Sequence, residues 1–80
     1  MIILAAKPPS WEERAKRLLK TELARADIGY RDLAKRLKIH GLKETEASIA
    51  NKISRGTFSA TFLLASLVAI GAETVRLEDI

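Results

Sequence analysis

Cysteine is absent from this chain of 80 residues, and histidine occurs once, as His40 in a segment expected to be an exposed loop. Without thiols the chain has no Cys₄ or Cys₂His₂ zinc site, no iron–sulfur cluster and no thiol nucleophile, which fits a reducing compartment. Nothing resembles a signal peptide, because the apolar run Met1–Ala6 has no basic residue before it and prolines after it. We expect a cytoplasmic protein without a metal or cofactor.

The chain also lacks the groupings of side chains that catalysis requires. Its serines fall at predicted helix caps or on helix surfaces, and its four glycines are scattered singly. There is no nucleophile with an adjacent base, no pair of carboxylates in an apolar setting and no glycine-rich phosphate loop. We therefore expect no enzymatic activity and no small-molecule ligand.

Positive charge is concentrated in the first two thirds of the chain. Residues 1–55 carry a net charge of +6 and residues 56–80 a net charge of −2. A polyanion is the natural partner of such a field, although scattered Lys and Arg are also common on solvated helix faces. A single domain of this size buries only about 60–65% of the surface of its unfolded chain, so self-association is expected.

Capping residues and helical spacing predict a first helix that begins at Trp11. Ser10 and Glu13 have the spacing of an S-x-x-E capping box. Trp11 is expected in the core, the alternative being a ring that stacks on a base. Glu22 falls on the apolar stripe, either paired with a neighbouring basic residue or at the edge of the core. The other residues of the stripe are Ala15, Leu18, Leu19, Leu23 and Ala26.

A second helix is predicted over Tyr30–Lys38, with Gly29 as its N-cap. The segment Ile39–Glu44 then forms a loop around Gly41, anchored by Ile39 and Leu42. The inward residues of the second helix are Leu33, Ala34 and Leu37.

Thr45 is the predicted N-cap of a third helix that runs to about Arg55 and stops at Gly56. Ile49 and Ile53 lie one turn apart and face the core. Because the helix turns by about 100° per residue, its outward side is expected to carry Ala47, Ser48, Asn51 and Arg55, with Lys52 at the flank.

A fourth helix is predicted over Ala60–Ile70, between Ser59 and Gly71, and it is apolar nearly all round. Its extra face requires a partner: the other helices, a second copy of the chain, or lipid. The charge-free stretch is shorter than the roughly 20 apolar residues that a membrane span needs, so no membrane association is expected. Residues expected to support dimerisation are Phe62, Leu63, Leu67, Val75 and Leu77.

The two ends of the chain have the composition of short strands. The tail Thr74–Ile80 alternates apolar and charged residues, and Ile2–Ala5 is a second candidate, so the two could pair within a chain or between chains. The expected organisation is an arm over residues 1–10, a helical domain over 11–71 and a tail over 72–80.

The middle of the chain resembles the phage-repressor-like, XRE-type helix-turn-helix family in both layout and sequence. Asp32–Leu37 (DLAKRL) resembles the first helix of the motif, in which Ala34 is the small residue that lets the two motif helices approach. Asn51–Gly56 (NKISRG) resembles the end of the recognition helix, and Ser59–Gly71 resembles the helix that follows. The resemblance implies an all-α bundle of four to five helices around a helix-turn-helix, as in lambda repressor.

A second resemblance covers more of the chain, from Trp11 to about Asp79. This stretch is similar to a group of short, uncharacterised bacterial proteins, of the domain-of-unknown-function kind. They share its Lys-Arg-Leu-Leu-Lys, Asn-Lys-Ile-Ser-Arg-Gly and closing Arg-Leu-Glu-Asp segments. This second resemblance implies a family and no function.

The resemblance to repressors implies that the third helix contacts duplex DNA. Asn and Arg can bond bidentately to adenine and guanine, and Ala or Ser can approach a thymine methyl or a phosphate. The expected base contacts are Ala47, Ser48, Asn51 and Arg55; without the resemblance, Asn51 and Arg55 would be read as a polar face. Tyr30 is expected either to contact a phosphate or to pack on the first helix. The expected phosphate contacts are Tyr30, Arg31, Lys35, Lys38, Lys43 and Lys52.

Two functions therefore compete. The first is a sequence-specific transcriptional regulator that binds double-stranded DNA as a homodimer through the third helix. The second is a protein-interaction module on the same scaffold without specific DNA binding. The connection before the third helix favours the second, because it is about five residues longer than in the repressor pattern.

Overall fold

Four helices make up nearly all of the regular structure in the computed structural model, which describes residues 8–80. They are α1 (Trp11–Ala26), α2 (Tyr30–Ile39), α3 (Glu46–Arg55) and α4 (Ala60–Ala69), followed by a short 3₁₀ helix, Leu77–Asp79. Each start agrees with the prediction, and the ends of α2, α3 and α4 lie within about a residue of it. The expected small all-α bundle is confirmed.

The helix starts follow from side chains that satisfy backbone N–H groups left free in the first turn. The Ser10 hydroxyl accepts the N–H of Glu13 at 3.1 Å, and the Ser59 hydroxyl accepts the N–H of Phe62 at 3.1 Å. The Glu13 carboxylate lies 3.4 Å from the Lys16 ammonium. The predicted S-x-x-E box therefore shows only its serine half, as no bond from the Ser10 backbone to Glu13 is present among residues 8–80.

The helices close around one apolar core. α2 packs against α3 and α4, and α1 packs against the same two helices. The Arg36 Nη1 donates to the carbonyl of Ala69 at 3.2 Å and so joins α2 to the end of α4. One side of α3 is thus held between α1 and α2, which leaves the other side to solvent. The buried residues are Leu19, Leu23, Ile28, Leu33, Leu37, Ile49, Ile53, Phe62, Leu67, Ala69 and Ile70.

Gly56 is the point where the start of α1 meets the end of α3. Its φ of +69° is in the left-handed region, and its N–H closes the end of α3 on the carbonyl groups of Lys52 and Ile53. A Cβ at this position would lie 2.8 Å from the carbonyl carbon of Glu12, and closer still to the carbonyl oxygen. Only glycine allows this backbone contact, so the residue ends α3 and docks α1 at once.

Trp11 is 69% exposed, so its predicted place in the core is wrong. It begins an edge row that continues through Ala15 and Leu18, which are only half-buried, whereas the centre of the stripe is Leu19 and Leu23. Residues at the edge of a helical stripe contact the core with only part of the side chain. Trp11, in the first turn of α1, lies outside the part of the helix that packs on the core.

The loop after α2 is anchored by one of its two predicted residues. Leu42 packs against the core, and its N–H bonds to the carbonyl of Leu37 at 3.0 Å. Ile39 is 82% exposed, so its predicted anchoring role is wrong. The helix ends in a left-handed turn at Gly41, with a φ of +85°, and this turn carries Leu42 back to the core in place of Ile39.

The predicted strand over Thr74–Ile80 is also wrong, because residues 8–80 contain no strand and the tail forms a 3₁₀ turn at Leu77–Asp79. The Arg76 guanidinium pairs with Glu78 and lies 3.9 Å from Asp79. Side chains three residues apart, such as Arg76 and Asp79, meet in a turn but lie on opposite faces of a strand. The other candidate strand, Ile2–Ala5, and most of the predicted arm lie outside the described residues.

Candidate nucleic-acid interface

The outward face of α3 presents small and polar side chains to solvent. Ile49 and Ile53 are fully buried on the inward side, while Ala47, Asn51 and Arg55 are exposed. The buried side of α3 therefore holds the helix in place between its caps, Thr45 and Gly56, and the exposed groups are carried on a rigid element. Among residues 8–80, no hydrogen bond or ion pair engages the side chain of Asn51 or Arg55.

Ser54 is exposed on the same face and was not among the predicted site residues. It lies five residues after Ile49, which is about 140° around the helix at 100° per residue and thus opposite the core. The wheel that placed Asn51 outward would have found it. Its hydroxyl can donate to or accept from a base edge or a phosphate.

Ser48, a predicted base contact, is held in the cap of α3. Its hydroxyl accepts the Thr45 N–H at 2.9 Å and donates to Glu44 Oε1 at 2.7 Å. The Thr45 hydroxyl in turn accepts the Ser48 N–H at 3.0 Å. This reciprocal capping box commits the Ser48 hydroxyl to the start of the helix, and its signal in the sequence is the T-x-x-S spacing.

Lys52, a predicted phosphate contact, belongs to a partly buried cluster behind this cap. Its ammonium group bonds Glu44 Oε2 and lies 5.1 Å from the centroid of the Phe62 ring. The side chain of Glu44 is only 10% exposed. Burial by itself raises the pKa of the Glu44 carboxyl, but hydrogen bonds from Lys52 and Ser48 and the charge of Lys52 outweigh it, so this pKa lies below its ordinary value. Lys52 is thus already paired with a carboxylate.

The remaining predicted phosphate contacts lie on α2 and in the turn after it. Tyr30 is half-buried and packs against the core, as the packing alternative predicted. The Arg31 guanidinium is exposed and lies 4.0 Å from the Glu46 carboxylate. Lys35, Lys38 and Lys43 are exposed and have no ion pair in the described part of the chain; Lys20 on α1 is the other exposed lysine there without one.

The connection between α2 and α3 spans residues 40–45. A helix-turn-helix motif usually has three or four residues between its helices, so this connection is two or three residues longer than the motif, less than the extension of about five residues expected from the sequence. The extra length is ordered by the left-handed turn at Gly41 and by the Thr45–Ser48 cap. The end of α2 and the start of α3 are therefore joined by more residues than the motif requires.

The predicted dimerisation residues are divided between the core and the surface. Phe62 and Leu67 are 2% and 9% exposed, so they are used by the fold of the single chain and are not available to a partner. Leu63 and Val75 are half-buried, and Leu77 is 74% exposed. The apolar residues that α4 does present to solvent are instead Leu64 and Val68.

A cavity of about 140 Å³ lies between α1 and the C-terminal residues. Two of its arginines are paired with carboxylates: Arg25 with Glu22 at 3.0 Å, and Arg76 with Glu78 and Asp79. Glu22 is half-buried and combines both of its predicted alternatives, since it is paired with a basic residue and lies at the edge of the core. Arg17, which also lines the cavity, has no ion pair in residues 8–80, so one guanidinium group is left for an anion here.

Within residues 8–80, no three His, Asp or Glu side chains are grouped as a metal site would require. Across the same residues, no helix combines the length and the apolar character that crossing a bilayer requires.

Comparison with known proteins identifies a family. The family model described as "Domain of unknown function (DUF6471)" matches residues 11–75, which include all four helices and the candidate face of α3. No curated protein and no solved structure shows a significant match to the chain. The family match begins at Trp11, where the predicted resemblance to short proteins with a domain of unknown function also begins. The chain belongs to the DUF6471 family.

Proposed function

We propose that this protein binds duplex DNA sequence-specifically through the exposed face of α3 and acts as a transcriptional regulator. The observation that carries the proposal is the pair Asn51 and Arg55, which stand exposed and one turn apart on a helix whose other side is fixed by Ile49 and Ile53. Asn bonds adenine and Arg bonds guanine through two hydrogen bonds each, and a rigid helix holds such side chains in register with base edges.

The surroundings of this face supply the charge that DNA binding needs. Lys35, Lys38 and Lys43 are exposed and follow α2 into the turn before α3. Ammonium groups there contact phosphates and so fix the position of the protein on the duplex without reading sequence. Arg31 joins them once Glu46 is displaced by a phosphate, since the two charges are 4.0 Å apart and exposed.

The remaining site residues take supporting roles. Ala47, which has no polar group, lets the helix approach a thymine methyl, and Ser54 adds a hydroxyl on the same side. Ser48 and Lys52 are bonded to Glu44 and position the helix. A homodimer would place two copies of α3 one DNA turn apart, about 34 Å, on a pseudo-palindromic site.

The test is selection from a random duplex library by the purified protein at near-physiological salt, followed by binding of the enriched duplex to variants. Asn51→Ala and Arg55→Ala are each expected to weaken specific binding by about 1–3 kcal/mol, because each removes a bidentate base contact. Their midpoints of urea denaturation are expected to stay near that of the wild type, since both side chains are exposed.

Lys38→Gln is the matched control from the phosphate contacts. It is expected to weaken binding to all duplexes alike and to lower the salt dependence by about one released counterion. Equal binding by the wild type and both α3 variants would remove α3 from the reading role. Failure to enrich any motif would contradict the proposal as a whole.

The second candidate function is a protein-interaction module that uses α4. The six-residue connection of residues 40–45 favours it, because a longer turn changes how α3 is presented, and so do the exposed Leu64 and Val68. This alternative predicts binding to DNA only at low salt, with no preferred sequence.

A further inference from the structure

Trp11 is the one aromatic side chain of residues 8–80 that the core leaves exposed to solvent. It is the only tryptophan of the chain, and 69% of its surface is open to solvent. Large aromatic side chains that a small domain leaves outside its core are enriched at binding surfaces. The surroundings of Trp11 indicate what it binds.

Arg14 holds its guanidinium over the Trp11 ring, with Cζ 4.6 Å from the ring centroid. Its Nε donates to the carbonyl of Pro9 at 3.2 Å. These two contacts fix the plane of the guanidinium, while no residue among 8–80 accepts from its two Nη nitrogens. A fixed guanidinium with both terminal nitrogens unengaged is well suited to hold two oxygens of one phosphate.

The Trp11–Arg14 pair is carried by the turn of α1 that contacts the end of α3. The carbonyl of Glu12 is in contact with Gly56, so the backbones of α1 and α3 touch at this point. Trp11 and Arg55 are each one residue away from the contact. The start of α1, which carries the pair, is therefore packed against the end of the helix that carries the proposed DNA contacts.

The charges around the pair favour an anionic partner. Glu13 is offset by Lys16 at 3.4 Å, and Arg17 adds an exposed positive charge one turn further along α1. Glu12 is exposed and has no ion pair in residues 8–80. Counting these groups with Arg14 leaves the start of α1 with a net positive charge.

We propose that Trp11 and Arg14 extend the DNA interface beyond α3: the Arg14 guanidinium binds a backbone phosphate, and the Trp11 ring packs on the adjoining deoxyribose. This inference rests on the proposed function. It assigns the pair a contact that is independent of base sequence, because neither group reaches a base edge.

Trp11 itself supplies the readout, since no other tryptophan contributes to the emission. The probe is a mixed-sequence duplex of two helical turns, labelled at one end, at low ionic strength. Anisotropy of the label reports binding, and quenching of the Trp11 emission by acrylamide reports exposure of the ring. DNA at saturation is expected to protect the ring and reduce the quenching constant.

Arg14→Gln is expected to reduce the slope of log affinity against log salt by about 0.9, the loss of one phosphate contact. Lys20→Gln is the matched control, because it removes the same charge from an exposed position two turns further along α1 and is expected to keep the wild-type slope. Circular dichroism of both variants checks that the helices are intact.

The outcomes separate this inference from the proposed function. If the label reports binding while acrylamide quenching is unchanged and Arg14→Gln keeps the wild-type slope, the inference is overturned and DNA binding stands. If quenching alone is unchanged, the ring contact is overturned; if the slope alone is unchanged, the phosphate contact is overturned. If the label shows no binding at any salt concentration, both the inference and the proposed function fail.

Discussion

Gly56 combines a left-handed backbone with a close backbone contact. Gly41 has a similar φ, +85° against +69°, but a Cβ there would meet nothing within 4 Å. Gly41 therefore meets only the requirement for a positive φ, whereas Gly56 meets both that requirement and the need for space beside the backbone of Glu12. Any side chain at Gly56 must push α1 away from α3, since the obstructing atoms belong to the backbone of Glu12.

Gly41→Ala is expected to lower the free energy of unfolding by about 1–2 kcal/mol, the cost of a left-handed backbone with a Cβ. Gly56→Ala is expected to lose that amount and a further 1–3 kcal/mol or so, because the Cβ overpacks the α1–α3 contact. Urea denaturation followed by circular dichroism measures both. Equal losses for the two variants would mean that α1 moves aside at no cost.

Residues differ in how well the sequence predicts their roles. Gly56 was predicted as the end of α3, because a helix stop is a local signal. Its contact with Glu12 was not, because the two residues are far apart in the chain and only the packing of α1 brings them together. Trp11 was misplaced for a related reason: helical periodicity gives a direction around the axis but not where along the axis the core begins.

At the scale of the element, the start of α3 depends on the cluster of Glu44, Ser48 and Lys52. The capping box fixes the first turn, and the Glu44 carboxylate links that turn to Lys52 near the other end. The cluster thus holds the helix that carries the proposed DNA contacts.

The lowered pKa of Glu44 predicts how stability depends on pH. Because the folded state favours the charged carboxylate, its contribution is fully present above the unfolded pKa, near 4.5, and is lost as pH falls through the lower folded pKa. Glu44→Gln is expected to lower stability at neutral pH and to flatten the acid limb of the stability curve. Urea denaturation at a series of pH values measures this.

Glu12→Gln is the control for the loss of one negative charge, since Glu12 is exposed and has no ion pair in residues 8–80. If both variants give the same curve, the Glu44 cluster does not stabilise the start of α3.

Helix bounds were predicted well because the residues that cap and end a helix lie directly beside it in the sequence. Ser10, Gly29, Thr45 and Ser59 all cap helices as predicted. The tail was predicted poorly, because an alternating pattern indicates a strand only where another strand can pair with it. Ser48 was assigned to bases from its angle on the wheel, whereas its short side chain bonds the helix start more readily.

At the scale of the whole molecule, burial limits which apolar residues of α4 can take part in self-association, because residues in the core are not available to a second copy. Leu64 and Val68 lie one turn apart on α4, exposed by 63% and 62%. In the proposed homodimer, a second copy of the chain would cover these two side chains, which the core of the single chain leaves exposed. The apolar residues that α4 exposes differ from those predicted for dimerisation, because an evenly apolar helix gives no sign of which side packs inward.

The double variant Leu64→Lys with Val68→Lys is expected to keep the fold and to remain monomeric, because the new charges stay in solvent and repel a second copy. Sedimentation velocity over a range of concentrations measures the association. Leu67→Lys, one position away in the core, is the contrasting control and is expected to unfold the chain. A double variant that dimerises like the wild type would place the dimer contact elsewhere.

The apolar character of α4 also bears on the fate of the unfolded chain. From Gly56 to Ala72 no residue carries a charge, and within this stretch Phe62 to Ala65 and Leu67 to Ile70 are apolar without a break. Charged gatekeepers normally keep such segments apart once they are exposed. Heat-unfolded chains at high concentration should therefore aggregate before they can refold, which makes melting irreversible and urea the appropriate denaturant.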